Sequence, residues 1–410
     1  MIENKKKIWW LSILLGTLSA YGPLLLDTYL PALPVLETDF GIPTSMVQLS
    51  LTMCLAGLAF GPLFIGAISD RIGRKKPLLW GIGISVIACL LSVSVTNIWL
   101  FLGLRLIQGI ASSTGVVLTR AIAKDLFSGT QLTRFIAMLM AINGIFPIVS
   151  PLLGSFFLSY FSWRGIFIFL AVVGLLLFLG ILIGFKETHE VQVVTEKVEQ
   201  KAGWQAVFSD RPFMMFVLIQ GFVYAAMFCY ISGSSFMLQN VFGLSDKIFS
   251  LIYGINGIGI VVAAELAGVL SKKMSSFRQL GWGVGLGFLG SILVIISGIH
   301  TNHLWLALLG LLLVVSTLGL VNAVVTTMAM ERQGEHAGIA SSVLGLGMYA
   351  IGMVFTPLVG IMGSNTYLPL AVLIFISEAC AVILYKMLEK DIFLKEKKKS
   401  FLKKLVKKSS

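Results

Sequence analysis

Charge is what this chain has least of. Only 12% of its 410 residues are Asp, Glu, Lys or Arg, against 57% hydrophobic, and the mean hydropathy is +0.93. A soluble protein of this length could not enclose so much apolar surface in one core. That class is excluded, and a chain crossing a membrane many times is indicated. Cysteine is scarce too. Cys54, Cys89, Cys229 and Cys380 all fall in apolar stretches, without metal-ligand spacing, which argues against a disulfide framework and for small packing residues. The four histidines, His189, His300, His303 and His336, are scattered, and no Ser–His or metal spacing accompanies them. HTNH at 300–303 reads as a polar loop rather than a metal site, so no metal is expected. A membrane enzyme would need a catalytic cluster, and a channel would need a sequence resembling a selectivity filter. Neither is present. Long polar stretches are missing as well: 186–211 is the only one in the interior. No cleavable signal is evident, and MIENKKK followed by an apolar run reads as an uncleaved first span.

What is present is apolar sequence in regular lengths. Runs of about 20 residues, enough to cross a bilayer, fall near 8–33, 45–68, 77–96, 98–121, 134–158 and 162–185. After the polar gap come 212–238, 246–270, 279–299, 303–329, 336–362 and 367–388. The expected fold is all-α, with twelve transmembrane helices in two six-helix bundles. Its parts are an N-terminal bundle (1–185), a linker (186–211), a C-terminal bundle (212–389) and a basic tail (390–410). The 42 glycines suit closely packed membrane helices.

The net charge of +12 could suggest a nucleic-acid partner, but its distribution says otherwise. Ten of the 31 Lys and Arg lie from Lys386 onward, and most others sit in short gaps between apolar runs. With both termini placed in the cytoplasm, 28 basic residues fall inside and two, Arg164 and Lys247, outside. That bias fixes the expected orientation. The tail alternates Phe393, Leu394, Phe401, Leu402, Leu405 and Val406 with lysines. It reads either as a helix lying on an anionic inner leaflet or as a solvated segment.

The two halves resemble each other. GAISDRIGRKKP (66–77) meets GVLSKKMSSFRQ (268–279) at an offset of 202, and PLLG (151–154) resembles PLVG (357–360). A duplicated bundle places a substrate site between the halves near the bilayer midplane.

Four ionisable residues fall inside spans, where a charge costs at least about 2.5–3.5 kcal/mol on insertion scales. Arg105 is the only charged residue between Pro77 and Thr119. It cannot neutralise itself, so it needs an anion, backbone carbonyls or water. It lies roughly 12 Å below the outer end of its span, and Asp27 lies roughly 9–14 Å below the outer end of span 1. The matched depth predicts that the two face one cavity, with Asp27 carrying a proton. The alternative is a static salt bridge that orients two helices. Glu378, near the middle of span 12, reads as a second acid, a cation's partner or a packing acid. Glu265, close to the inner face, reads as structural.

The loop at 66–77 asks more than a generic basic turn does. Gly66 permits close contact, Gly73 a tight reversal, and Asp70 an acid at a span end. Arg71, Arg74, Lys75 and Lys76 would meet lipid phosphates. This G-x-x-x-D-R-x-G-R-K loop resembles the hallmark loop of the major facilitator superfamily. RLIQG (105–109) is similar to its second motif, and GIFPIVSPLLGS (144–155) to the motif of its drug–proton antiporters. LDTYLPALP (26–34) and SWRGIF (162–167) resemble the Bcr/CflA drug-resistance branch. Two departures stand out: Ser150 before Pro151, and Ser155 after Gly154, where the family usually has glycine. In the second half Cys229 takes the position of Asp27, and Lys272 that of the loop acid.

The resemblance implies a proton-coupled efflux antiporter in the cell membrane, monomeric and without a cofactor, driven by the proton gradient. Its partners would be a small amphipathic molecule, H+ and membrane lipids. Asp27 would be the proton-linked acid, and Arg105 would couple it to substrate. Gly66, Asp70, Arg71, Gly73 and Arg74 would latch the cytoplasmic side. Gly144, Pro147, Pro151 and Gly154 would bend and smooth span 5. Tyr21, Asn143, Tyr224, Phe228, Tyr230 and Asn256 are candidate cavity residues, with ordinary packing as the alternative. A superfamily transporter of a sugar, amino acid or other metabolite is the competing function.

Overall fold

The computed structural model describes residues 5–127, 129–188, 198–300, 303–333, 337–363 and 365–409. The side chains of 5–9, 67, 129–130, 133–134, 136–137, 140–141, 144, 198–202, 300, 337–338 and 392–409 lie outside that description. The described elements are helical, as a bilayer requires of apolar runs that must satisfy their own backbone. They are α1 (Lys5–Asp27), α2 (Leu33–Phe40), α3 (Thr44–Ile72), α4 (Lys75–Ser94), α5 (Ile98–Leu126), α6 (Gly129–Tyr160) and α7 (Trp163–Gly184). Then follow α8 (Val198–Ser209), α9 (Arg211–Phe236), α10 (Asp246–Leu270), α11 (Ser276–His300), α12 (Leu304–Arg332), α13 (Ala337–Phe355) and α14 (Leu368–Ser409).

Eleven segments of the described residues are long and apolar enough to cross a membrane. The twelfth expected span lies in α6, whose described apolar stretch, Ile145–Tyr160, is shorter. Side chains such as Phe64, Trp80, Leu176, Ile183, Trp282 and Trp305 stand exposed around the outside, as a lipid-facing surface allows. The sequence places the first span near 8–33, with Pro31 and Pro34 bending its outer end. The bend is a full break: α1 stops at Asp27, a 3₁₀ turn covers Leu30–Ala32, and α2 restarts at Leu33. Pro31 and Pro34 explain the break, since each lacks an N–H and fits only the first turn of a helix. The linker contains the short helix α8, and 189–197 lies outside the described residues. The backbone of α14 continues as helix through the basic tail to Ser409.

The helices form two six-helix bundles with the same packing scheme. In the first, α5 lies against α1, α3 and α4, α1 also against α6, and α4 against α7. In the second, α12 lies against α9, α10 and α11, α9 also against α13, and α11 against α14. The bundles meet where α3 touches α13 and where α6 touches α10.

Small residues set these spacings. A Cβ on Gly109 would sit 2.2 Å from the Cys54 carbonyl oxygen, and one on Gly57 would meet the α5 backbone at 2.5 Å. A Cβ on Gly319 in α12 would lie 2.0 Å from the Ile260 carbonyl. Backbone cannot step aside as a side chain can, so Gly109→Ala should force α3 and α5 apart. The expected loss is about 1–3 kcal/mol, read as a lower unfolding midpoint in detergent. An unchanged midpoint would show that the helices slide apart freely.

Candidate functional site

The break in α1 creates the site. Asp27 is the last residue of α1, buried at 5% exposure, at the helix end where backbone dipoles do not favour a negative charge. Its partner comes from the other bundle: the Tyr253 hydroxyl of α10 donates to Asp27 Oδ1 at 3.3 Å. The Tyr253 ring stacks on Tyr230 of α9, with centroids 5.3 Å apart. Asn256 Nδ2 in turn donates to the Tyr230 hydroxyl at 2.9 Å. All four residues are buried. Acid, two tyrosines and an amide thus form one polar seam through the contact between bundles.

Arg105 does not pair with Asp27. Among the described residues no ion pair contains either one. Equal depth says nothing about direction around a helix, and the two side chains point to different partners. Arg105 is fully buried. Its Nη1 and Nη2 both donate to the Leu25 carbonyl at 3.2 Å, and Nη1 also donates to Gln108 Oε1 at 2.8 Å. Leu25 lies in the last turn of α1, where carbonyls lack intrahelical partners and carry partial negative charge. The guanidinium also lies 4.2 Å above the Tyr29 ring and 5.8 Å from that of Phe167. Gln108 passes the network on to Ser92 at 3.0 Å, and the Tyr29 hydroxyl meets Ser50 at 3.0 Å. Arg105 therefore grips the segment that carries Asp27 through its backbone and its aromatic neighbour. The Gln-Gly of RLIQG is explained as well: Gln108 is the arginine's acceptor, and Gly109 is the close approach to α3.

The loop after α3 is organised around Arg74. The sequence offers Arg74 both to lipid phosphates, as one of four basic residues in the loop, and to the cytoplasmic latch that the family resemblance implies; the lipid-facing position is not the one observed. Instead Arg74 is buried, donating to Asp70 Oδ1 at 2.6 Å, Ser69 Oγ at 2.8 Å and Asp125 Oδ2 at 3.1 Å. Three acceptors within reach outweigh a solvated phosphate surface. Gly73 takes φ +91°, a conformation side chains rarely adopt. Glu187, just past α7, accepts from the backbone N–H groups of Arg74 (2.8 Å) and Lys75 (3.0 Å), so its carboxylate caps the start of α4. Asp125 and Glu187 are essential to this cluster and were not singled out from sequence. Arg71 is exposed, as is half of the Asp70 side chain, and a Cβ on Gly66 would meet nothing within 4 Å. The bonds named here join the loop to α5 and the segment after α7, within the first bundle and its linker.

Span 5 makes the other bundle contact. A Cβ on Gly154 would fall 1.8 Å from the Thr28 carbonyl, so this glycine lets α6 lie directly on the break in α1. The Pro151 carbonyl accepts from Ser250 Oγ at 2.9 Å, and Pro147 lies half-buried one turn before it. Gly144 falls on a position whose surroundings lie outside the described residues. The departure at Ser155 has a use: its hydroxyl lies 2.9 Å from the Asp246 carbonyl and 2.5 Å from Ser250 Oγ, so the two serine protons are shared between the hydroxyls and the Asp246 and Pro151 carbonyls, across the bundles. Gln239 Nε2 donates to the Pro31 carbonyl at 3.2 Å, and Gln48 Nε2 to the Ser232 carbonyl at 3.3 Å. These cross-bundle bonds gather at the end of the molecule away from the Arg74 loop.

The candidate cavity residues separate. Tyr21 is fully buried inside the first bundle, its hydroxyl on the Leu170 carbonyl at 3.0 Å. It packs against Gly174 of α7, so the contacts named for it lie within the first bundle rather than at a cavity between the bundles. Asn143 Nδ2 donates to Ser19 Oγ and the Leu139 carbonyl, each at 3.0 Å, also within the first bundle. Tyr224 and Phe228 stay together: Phe228 lies 6.1 Å from Tyr224 and stacks on Tyr349 at 5.6 Å. Tyr349 and Tyr253 are residues the sequence reading missed. For Tyr253 the signal was its place one turn before Asn256, on the same helix face. Glu378 is fully buried among α11, α12 and α14, beside Gly287 and Thr317 and remote from the Asp27 seam. Neither carboxyl oxygen has a hydrogen-bond partner among the described residues. Among those residues, no group of three His, Cys, Asp or Glu side chains could hold a metal ion.

Comparison with known proteins agrees with this architecture. Residues 10–357 match the family model described as Major Facilitator Superfamily. The chain is 33% identical over 388 residues to a Bacillus subtilis protein named "Uncharacterized MFS-type transporter YdgK", covering 93% of this chain and 96% of that one. It is 26% identical over 383 residues to the bicyclomycin resistance protein homolog of Haemophilus influenzae, with the same coverage. Among solved structures it superposes on a bacterial homologue of the human lysosomal transporter Spinster with a TM-score of 0.75, covering 95% of this chain and 99% of that one at 14% identity. The chain belongs to the major facilitator superfamily, a family of membrane transporters and not of enzymes.

Proposed function

We propose that this protein is a proton-coupled antiporter that exports small amphipathic compounds across the cell membrane by alternating access, as a monomer with both termini in the cytoplasm. The observation that carries the reading is the buried hydrogen bond from Tyr253 to Asp27. A titratable acid at a helix break is held by the opposite bundle, so its proton and the contact between bundles share one bond. Ionised, Asp27 accepts a charge-assisted hydrogen bond; protonated, it is a neutral partner held about half as strongly. Proton binding thus loosens the tie at the end away from the Arg74 loop, and proton loss tightens it. Arg105 keeps the α1 end in register through Leu25, so the carboxyl stays aimed at the seam. Tyr224, Phe228 and Tyr349 offer an aromatic surface with sparse polar groups, which suits bulky amphipathic cargo better than a sugar. The relative named for bicyclomycin resistance supports drug-like cargo.

The test is susceptibility profiling in an efflux-deficient bacterial host. Expression should raise the inhibitory concentration of at least one amphipathic antibiotic several-fold, and dissipating the proton gradient should remove the protection. Equal susceptibility across a broad panel, with and without the protein, would refute drug export and favour a metabolite.

A further inference from the structure

Away from the contact between bundles, the outer face of the second bundle carries a groove of about 450 Å³ between α11 and α14. Its construction is specific. Gly281 has a Cβ position only 2.5 Å from the Tyr385 hydroxyl, so glycine alone lets that ring lie across α11. Phe277 fixes the ring from the other side, stacked at 4.9 Å. Gly285, one turn further on, faces open space and leaves the floor low. Trp282 forms an apolar wall and is 60% exposed.

Two cations stand at the rim. Arg278 lies in the first turn of α11, exposed and with no ion pair among the described residues. Lys386 on α14 donates one N–H to Glu389 at 2.8 Å and has two further N–H donors. The rim lies at the same end of α11 as Lys272 and Lys273, on the side to which the charge bias assigns the cytoplasm. An apolar slot with aromatic side walls and a cationic rim, opening toward lipid at a membrane face, has the chemistry of an acyl chain below a phosphate. A soluble substrate would gain nothing from a slot that opens to hydrocarbon.

We propose that this groove binds one anionic phospholipid, with its phosphate between Arg278 and Lys386 and an acyl chain along Trp282 over Gly281 and Gly285. The site is independent of Asp27 and of the transported compound.

The experiment is native mass spectrometry of the full-length protein in mild detergent, titrated with palmitoyl-oleoyl phosphatidylglycerol. Wild type should retain one lipid more tightly than the rest. Arg278→Gln with Lys386→Gln should weaken that site roughly thirtyfold, since each basic side chain near an anionic surface contributes comparably. Gly285→Leu, which keeps both charges and fills the floor, should weaken it too. Lys272→Gln with Lys273→Gln, off the groove, should leave it intact. The unfolding midpoints without added lipid should agree among these surface variants. Undiminished binding by the Arg278/Lys386 variant would overturn the proposal. So would equal loss in the Lys272/Lys273 variant, equally tight binding of phosphatidylcholine, or displacement of the lipid by inorganic phosphate.

Discussion

Asp27→Asn should abolish proton-driven accumulation while leaving the protein folded and able to exchange substrate. One proton moving through a membrane potential of about 100 mV releases about 2.3 kcal/mol. That sustains roughly a fiftyfold concentration ratio of a neutral compound. With no carboxyl left at the seam to carry the proton, the ratio should fall to one. Folding should survive, because the amide has nearly the same volume, and its oxygen can still accept from Tyr253 across the 3.3 Å now observed. The measurement is uptake into inverted vesicles or proteoliposomes with an imposed pH gradient, beside counterflow exchange without one. Loss of the first with survival of the second is the expected pattern. A gradient response equal to wild type would remove Asp27 from the proton path. Tyr253→Phe separates the acid from its reader. It keeps the ring stacked on Tyr230 but deletes the donor, so coupling should weaken while Asp27 still titrates.

The fold was largely legible in the sequence, and the reasons are physical. Span lengths are set by bilayer thickness, so twelve runs of about 20 apolar residues leave little freedom. The duplication was visible at an offset of 202 because both halves solve the same turn problem with the same small and basic residues. The site was legible in its residues and illegible in its pairings. Asp27 and Arg105 stood out because each interrupts an apolar run, but a hydropathy trace gives depth along a helix and no azimuth. The break at Asp27 decided the azimuth. It freed the Leu25 carbonyl, and that carbonyl, rather than the carboxylate, became the anion-like partner of the guanidinium. The lipid-facing reading of Arg74 fails for a related reason. Its acceptors, Asp70 and Asp125, lie on different helices, and only packing brings them together. Tyr253 carries no charge and sits in an ordinary apolar span; its place one turn before Asn256 marks its helix face but not its bond to Asp27.

Arg105→Lys is the second change expected to have a large effect, because charge is not what the site requires. The guanidinium makes three hydrogen bonds in a fixed fork, two to the Leu25 carbonyl and one to Gln108, while its flat face covers the Tyr29 ring. An ammonium is a compact, strongly hydrated point on a flexible stem and cannot serve all three directions at once. Either Leu25 or Gln108 then loses its donor, and a buried acceptor left without one costs about 1–3 kcal/mol. Arg105→Met leaves both acceptors bare and should cost about 2–6 kcal/mol by the same reckoning. Gln108→Leu removes Gln108 as an acceptor, so the Arg105→Met, Gln108→Leu pair should recover part of the stability lost by Arg105→Met alone, as expected for residues in one network. Transport should not recover with it. The α1 end would still lack the grip that aims Asp27 at Tyr253, so the double variant should melt closer to wild type yet carry little gradient-driven flux. Thermal unfolding in detergent and proteoliposome uptake, measured on the same preparations, separate the two effects. Transport returning in step with stability would reduce Arg105 to a fold residue, and stability without transport would establish it as the residue that positions the proton carrier.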